Sequence, residues 1–489
     1  MPSLQAAVRK LRLEAWWPLW ALLGIGLLLR ILVTVFYGPS VFNYYGGDST
    51  RYMRLSVAQV SGLFGDVAMP AGYPAFLATL RHVDAWLPFT TMVQHLLGLV
   101  GALLLYGAVR AVGAPRWAAL LPVAVVALSG DVLFIEHGIL TEALWMPVLA
   151  LAMYLLARAI AAEEPRWWLV AAGAALACSA MVRSVSDLLP VALAVWAVVA
   201  LPGPPSRRLA NGGALLLSAA AVLGIYMVIA TTISHGSSGL TENSGFSLYA
   251  RVAQFADCQK FEPPAGTRAL CVETPSAERP GPFYWAWDPE SPLRSKFQLE
   301  IQDSGQQDQL SSFAKAAILH QPVEYVLTVG RDLVRYFAPQ AGTPRPSSGT
   351  DEEQMSFDSP AQSAQAVTPA VLATQYEEAY DGVGDGMPSR TASNAFGAYQ
   401  ALFRIDGRLM LLLIALGVLG CVRGRRSPRA AASLFLVSGV VLLVVPPAVS
   451  SFDIRYSIPP INLFAASAAF GLVVLRGEVG APTSSKRWD

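Results

Sequence analysis

Long apolar runs, approaching the roughly 20 residues that an α-helix needs to cross the hydrocarbon core of a bilayer, decide what this chain can fold into. The clearest are Ala15–Tyr37, Phe89–Ala111, Ala143–Ile160, Trp167–Met181, Asn211–Ile233, Leu409–Val422, Ala431–Val449 and Pro459–Leu475. Two shorter runs, Trp117–Leu128 and Leu188–Leu201, are needed to return the chain to the correct side, which makes about ten spans. The expected fold class is therefore an all-α polytopic membrane protein, with an extracytoplasmic domain of mixed or irregular structure between its spans.

The basic residues orient this bundle. Arg9/Lys10/Arg12, Arg110/Arg116, Arg158/Arg166, Arg207/Arg208, Arg423/Arg425/Arg426/Arg429 and Arg476/Lys486/Arg487 all fall on one side under that count. The positive-inside rule assigns that side, and with it both termini, to the cytoplasm. The first run is too long for a signal-peptide core and no small-residue cleavage site follows it, so it is expected to remain as a signal anchor. Composition agrees: 54% of residues are hydrophobic and 14% charged, which excludes a soluble globular enzyme. Lys+Arg 35 against Asp+Glu 34 leaves no basic excess for binding nucleic acid.

The opposite face receives 38–88, 129–141, 182–187, 234–403 and 450–456. This divides the chain into an N-terminal membrane domain (1–233) with an external loop at 38–88, an extracytoplasmic domain (234–403), and C-terminal membrane helices (404–489). Cys258 and Cys271 lie in the external domain, where an oxidising compartment permits a disulfide, and no further ligands nearby suggest zinc. Within that domain 234–287 reads as a compact irregular unit. Residues 312–337 place Phe313, Ala317, Val323, Val326, Leu327, Val334 and Phe337 on a rough helical period, interrupted at Pro322, which suggests an amphipathic helix lying on the membrane surface. The Pro-, Ser-, Gln- and Thr-rich 341–370 reads as a flexible loop.

Candidate chemistry sits on the external side. Asp48 follows two glycines in the first loop and stands at the start of a helix whose face carries Met53, Val57, Val60 and Phe64, so it is either a cap or a reactive acid. Met69–Pro74, with Tyr73, reads as a Pro-fixed re-entry turn. Glu142 begins a span at the edge of the hydrocarbon, where an ionisable side chain is a functional candidate or a partner of the helix dipole. His137, in the same external turn, is a weaker candidate. Arg183 and Arg455, the latter followed by Tyr456, lie on the side that disfavours them. Each needs a partner, either a neighbouring acid (Asp187, Asp453) or an anionic headgroup.

Carboxylates and arginines at one membrane face fit transfer of a sugar from a lipid-phosphate carrier. The oxocarbenium-like transition state needs a base for the acceptor hydroxyl and cations for the departing phosphate. The chain resembles the polytopic GT-C glycosyltransferases that use polyprenyl-phosphate sugars, the superfamily of protein O-mannosyltransferases and aminoarabinose transferases. The resemblance rests on Arg30, Asp48 with Tyr52, Pro70-x-Gly72-Tyr73-Pro74, Thr141-Glu142, His320-Gln321-Pro322 with Tyr325, and Arg455-Tyr456 ahead of Pro459. It implies Asp48 as general base, Glu142 as the acid of the second external turn, and Arg455-Tyr456 as an element of the substrate site; beside them Arg183, His137 and Tyr73 stand as substrate-binding candidates from the sequence itself. It further implies an inverting enzyme of a bacterial cytoplasmic membrane acting on the extracytoplasmic side, among membrane lipids. The donor would be a polyprenyl-phosphate sugar and the acceptor a cell-envelope glycan, protein or lipid. No cofactor is assigned, a divalent metal being the one candidate; some members pair acids where this chain has Asp48-Ser49. The competing readings are an O-antigen-type ligase or polymerase, and a lipid-linked sugar transporter or flippase.

Overall fold

A computed structural model describes residues 17–38, 48–66, 69–234, 238–300, 303–338, 355–358, 379–381 and 389–477. Among them the chain is helical, with no strand beyond an isolated bridge between Trp86 and Asp381. The first half holds α1 (Trp17–Phe36), α2 (Asp48–Val57), α3 (Val60–Leu63), α4 (Gly72–Val83), α5 (Leu87–Ala111), α6 (Arg116–Leu128), α7 (Gly130–His137), α8 (Glu142–Ala161), α9 (Arg166–Val182), α10 (Leu189–Ala200) and α11 (Pro205–Ser234). The external segment contributes α12 (Ser244–Val252), α13 (Pro282–Trp287), α14 (Pro292–Ser295), α15 (Ser304–His320), α16 (Pro322–Arg335) and α17 (Arg390–Leu402). The chain then closes with α18 (Gly407–Arg423), α19 (Arg426–Val449) and α20 (Ile458–Leu475).

Seven helical stretches are long and apolar enough to cross a membrane; α6 and α7 form a pair bent by 52°, and α9 and α10 are shorter apolar helices. These coincide with the ten apolar runs of the sequence, and the chain is a polytopic all-α membrane protein. The last helix, apolar on every side, occupies the centre against α18, α19 and α6, as a helix without a polar face must. Its small residues let backbones approach: a Cβ at Gly471 would come 2.0 Å from the Leu416 carbonyl oxygen. By contrast α1 and α11 expose most of their apolar surface and form the rim that lipid covers.

The segment between α11 and α18, expected from the sequence to be external, has its own core, built by Phe246, Tyr249, Phe255, Trp285, Leu310 and Phe313, among others. The disulfide between Cys258 and Cys271 is formed, with Cα atoms 5.9 Å apart. Intact-mass analysis is expected to show two fewer hydrogen atoms in the non-reduced chain, and reduction should cost on the order of 3 kcal/mol. Maleimide labelling of both thiols without reductant would contradict this.

Four expectations about local structure need correction. Residues 129–141 are not an open turn, because 130–137 form α7, every residue of which is buried. The amphipathic segment 312–337 is two helices. Pro322 lacks an N–H and restricts Gln321, which takes φ −132° and ψ 53° and ends α15. Phe313 and Ala317 then enter the external core, while Val323, Val326, Leu327 and Val334 of α16 stay exposed. The expected flexible loop 341–370 lies mostly outside the described residues, but within 355–358 Met355 and Phe357 are buried, with Phe357 packed on Tyr37, Phe134 and Phe396. Likewise the face drawn through Met53, Val57, Val60 and Phe64 is broken between α2 and α3; Met53 is buried and Val60 exposed. The basic cluster at 9–12, the glycines before Asp48 and the charged C-terminal residues 486–487 lie outside the described residues.

Candidate active site

Helix ends set the geometry. Asp48 begins α2, Glu142 begins α8, Arg183 ends α9, and Arg455 sits in a 3-10 turn (Ile454–Ser457) just before α20. In an alternating bundle these four positions fall at the same end, and packing brings them into contact. The Arg455 guanidinium lies between the two acids, with Nη1 3.1 Å from Asp48 Oδ2 and Nε 3.0 Å from Glu142 Oε1. Arg183 Nη1 is 2.9 Å from the same Glu142 oxygen and donates to Thr141 Oγ1 at 2.6 Å. The Thr141 hydroxyl donates in turn to Glu142 Oε2 at 3.1 Å. The sequence offered Asp453 and Asp187 as partners for the arginines; Asp453 instead caps the 3-10 turn by accepting the Arg455 backbone N–H at 2.9 Å.

The two carboxylates differ. Glu142 is 1% exposed; its Oε1 is ion-paired with two guanidinium groups without accepting a hydrogen bond among the described residues, and its Oε2 accepts from the Thr141 hydroxyl. Asp48 is 19% exposed, and among the described residues its Oδ1 takes no hydrogen bond. One acid organises cations; the other has an oxygen to offer. Beside them is a small cleft lined by Glu142, Trp145, Arg183, Arg455, Tyr456 and Pro459, with others. The Tyr456 ring lies 5.3 Å from the Arg183 guanidinium and 5.8 Å from that of Arg455, and Trp145 holds Arg183 from another side at 5.7 Å.

Tyr73 and His137 stand apart from this pocket. Tyr73 is buried, donates to Gln94 Oε1 at 2.6 Å and packs edge-on against Tyr52 at 5.1 Å. Its helix begins at Gly72, where a Cβ would come 2.5 Å from the Met181 carbonyl oxygen; the absent side chain lets α4 lean directly on the end of α9. Tyr52, one turn after Asp48, is held as a neutral hydroxyl: burial, and then the Asp48 charge, push its phenol well above the ordinary range. His137 is buried in α7, where Nε2 donates to the Gly38 carbonyl at 2.6 Å and Nδ1 faces His95 Nε2 at 3.3 Å. It belongs to a second buried network, in which Glu136 Oε2 is 2.8 Å from Arg30 Nη2 and 3.3 Å from His95 Nδ1.

Sequence reasoning passed over Trp145, Glu136 and His95. Trp145 could have been found from its spacing, three residues after Glu142 on a helix. Glu136 follows from Arg30, since an arginine inside an apolar span needs an acid within the bundle. Among the described residues no three His, Cys, Asp or Glu side chains converge as a metal site, and both acids here face guanidinium groups; this donor set does not fit a divalent ion.

The family of dolichyl-phosphate-mannose-protein mannosyltransferases matches residues 75–231, about a third of the chain, including Glu142 and Arg183 but not Asp48 or Arg455. This match supports the resemblance to GT-C membrane glycosyltransferases drawn from the sequence. No curated protein sequence matches. Among solved structures, the Saccharomyces cerevisiae protein O-mannosyltransferase Pmt1-Pmt2 complex bound to its sugar donor is similar at 18% identity and TM-score 0.35, over 47% of this chain and 36% of that one. The Archaeoglobus fulgidus oligosaccharyltransferase tethered to an acceptor peptide is similar at 11% identity and TM-score 0.45, over 95% of this chain and 50% of that one. The same archaeal enzyme with an inhibitory peptide and a dolichol-phosphate gives 10% identity and TM-score 0.44, over 97% and 53%. The chain thus spans about half or less of the length of each of these structures.

Proposed function

We propose that this protein is an inverting glycosyltransferase that moves a sugar from a polyprenyl-phosphate carrier to a cell-envelope glycan, protein or lipid on the extracytoplasmic face. The observation that supports it most is the unequal pair of carboxylates around Arg455, one saturated with positive charge and one with a free oxygen. In the proposed step the acceptor oxygen bonds to the anomeric carbon, the bond from that carbon to the phosphate oxygen breaks, and the acceptor proton passes to Asp48 Oδ1. Arg183 and Arg455 stabilise the charge gathering on the leaving phosphate, and Glu142 keeps both guanidinium groups in place. The family match, whose name specifies a dolichyl-phosphate sugar donor, supports the choice of carrier.

Purified protein in lipid vesicles, offered polyprenyl-monophosphate hexoses and pentoses together with an envelope extract, tests this. Release of polyprenyl monophosphate with labelled sugar in the acceptor fraction is expected. Activity only with a lipid diphosphate donor would favour the ligase or polymerase reading, and sugar crossing the vesicle without transfer would favour a flippase.

Arg183→Ala is expected to raise the donor KM by about 10- to 100-fold, since a hydrogen bond to a charged group is worth roughly 1.5–3 kcal/mol. Steady-state kinetics against donor concentration check it; an unchanged KM would place the phosphate elsewhere.

A further inference from the structure

Arg455 does not hold its position by its own helix. The preceding helix α19 carries Pro446 and Pro447 inside its last turns and stops at Val449; its end, together with the non-helical Ser450–Asp453 that follows, forms a strap leading to Arg455. The external helices grip that strap at alternate residues. Tyr325 of α16 donates from Oη to the Ala448 carbonyl at 3.0 Å. Arg251 of α12, fully buried, donates from Nε to the Ser450 carbonyl at 2.9 Å and from Nη2 to Asp332 Oδ2 at 2.6 Å. Phe452 is clamped between the Arg335 guanidinium, 3.7 Å from its ring centre, and the Tyr336 ring at 4.8 Å. Directly after the strap, Asp453 caps the turn from which Arg455 reaches Asp48 and Glu142.

A charge buried at Arg251 is costly unless its partner is well placed. Here that partner, Asp332, belongs to a different helix, so the pair joins α12 to α16 while its free arm fixes Ser450. By comparison, Lys260–Glu324, another ion pair between the external unit and α16, at 2.7 Å, is exposed and does not touch the strap. We infer that Arg251 and Asp332 are a positioning pair for the transfer reaction: by holding the strap they set Arg455 between the two carboxylates, and so couple the external unit to the site. This rests on the glycosyl-transfer reading above. Neither residue contacts the pocket; both act through Arg455.

The test uses the full-length protein in vesicles, with turnover and donor KM measured on a polyprenyl-monophosphate sugar and the folded fraction followed by thermal challenge. Arg251→Gln and Asp332→Asn are expected to lower kcat about ten- to a hundredfold, the range that follows from a misplacement of about 1 Å, with donor KM little changed. Asp332→Glu, which keeps the charge, should recover most of the loss, and Lys260→Gln should behave as the parent. In an Arg455→Lys background the penalty of Asp332→Asn should largely vanish, because the group being positioned is gone. Unchanged kcat in both variants, or penalties that multiply fully with Arg455→Lys, would overturn the positioning role; so would a loss that tracks only the amount of folded protein. Should Arg251→Gln fail to fold, Asp332→Asn decides, since it leaves the bond to Ser450 in place. Full activity of Arg455→Lys itself would instead strike at the site reading beneath it.

Discussion

Asp48→Asn is expected to lower turnover by about 10²- to 10⁴-fold while leaving the fold intact, the loss associated with removing a general base. Asparagine keeps the size of the side chain and, through its carbonyl oxygen, the ability to cap α2 and to accept from Arg455; it cannot take up the acceptor proton. Capping alone therefore predicts turnover close to that of the parent. Two measurements separate the readings: single-turnover transfer with saturating donor, and thermal stability of the same preparation. Glu142 is a poor substitute base because its charge is paired with the guanidinium groups of Arg183 and Arg455, at 2.9 and 3.0 Å, and its Oε2 accepts from Thr141. Retention of more than about a tenth of parental turnover by folded Asp48→Asn would remove this acid from the mechanism.

The four charged residues of the site were visible in the sequence for a simple reason. Glu142, Arg183 and Arg455 flank apolar spans, and Asp48 is the acid that opens the first loop helix; such groups are expensive at the edge of hydrocarbon unless matched. That argument shows that partners exist without naming them, because it carries only the depth of a residue and not its azimuth around the bundle. Arg455 was accordingly open to pairing with nearby Asp453, whereas it reaches Asp48, 407 positions earlier in the chain. Tyr73 and His137 show the same gap from the other side. Both lie at the right depth, but α4 turns Tyr73 toward Gln94, and α7 carries His137 into the bundle beside His95.

Spans were legible to within a few residues because their signal, sustained hydropathy, is local. The bend between α6 and α7 was not. Apolar length cannot tell a helix that continues from one that stops at Ser129 and restarts at an angle, and the serine hydroxyl that accepts the Val132 N–H is a weak mark in a run of Ala, Val and Leu. In the external unit the failure was again one of direction. The interruption at Pro322 is legible in the period, but not its effect: the proline redirects the chain and assigns the two halves of the stripe to different surroundings.

Glu136→Leu is expected to cost about 3–5 kcal/mol of stability, the loss associated with breaking one side of a buried ion pair. Arg30 and Glu136 are both 0% exposed, and leucine would leave the guanidinium without its anion. Arg30 also donates to the carbonyls of Val126 and Ala127 at 3.1 Å each, oxygens freed where α6 ends at the 52° bend. The pair thus fixes the entry of α7 and, through it, the start of α8 that carries Glu142. Space for the carboxylate is reserved by Gly98, where a Cβ would come 1.9 Å from Glu136 Oε1. The double variant Arg30→Leu/Glu136→Leu should recover part of the loss by removing the stranded charge, but not all, because the Val126 and Ala127 carbonyls lose their donor. The folded fraction of detergent-solubilised protein against temperature, with the three variants side by side, measures this. A Glu136→Leu protein as stable as its parent would show that the pair does not hold the bend.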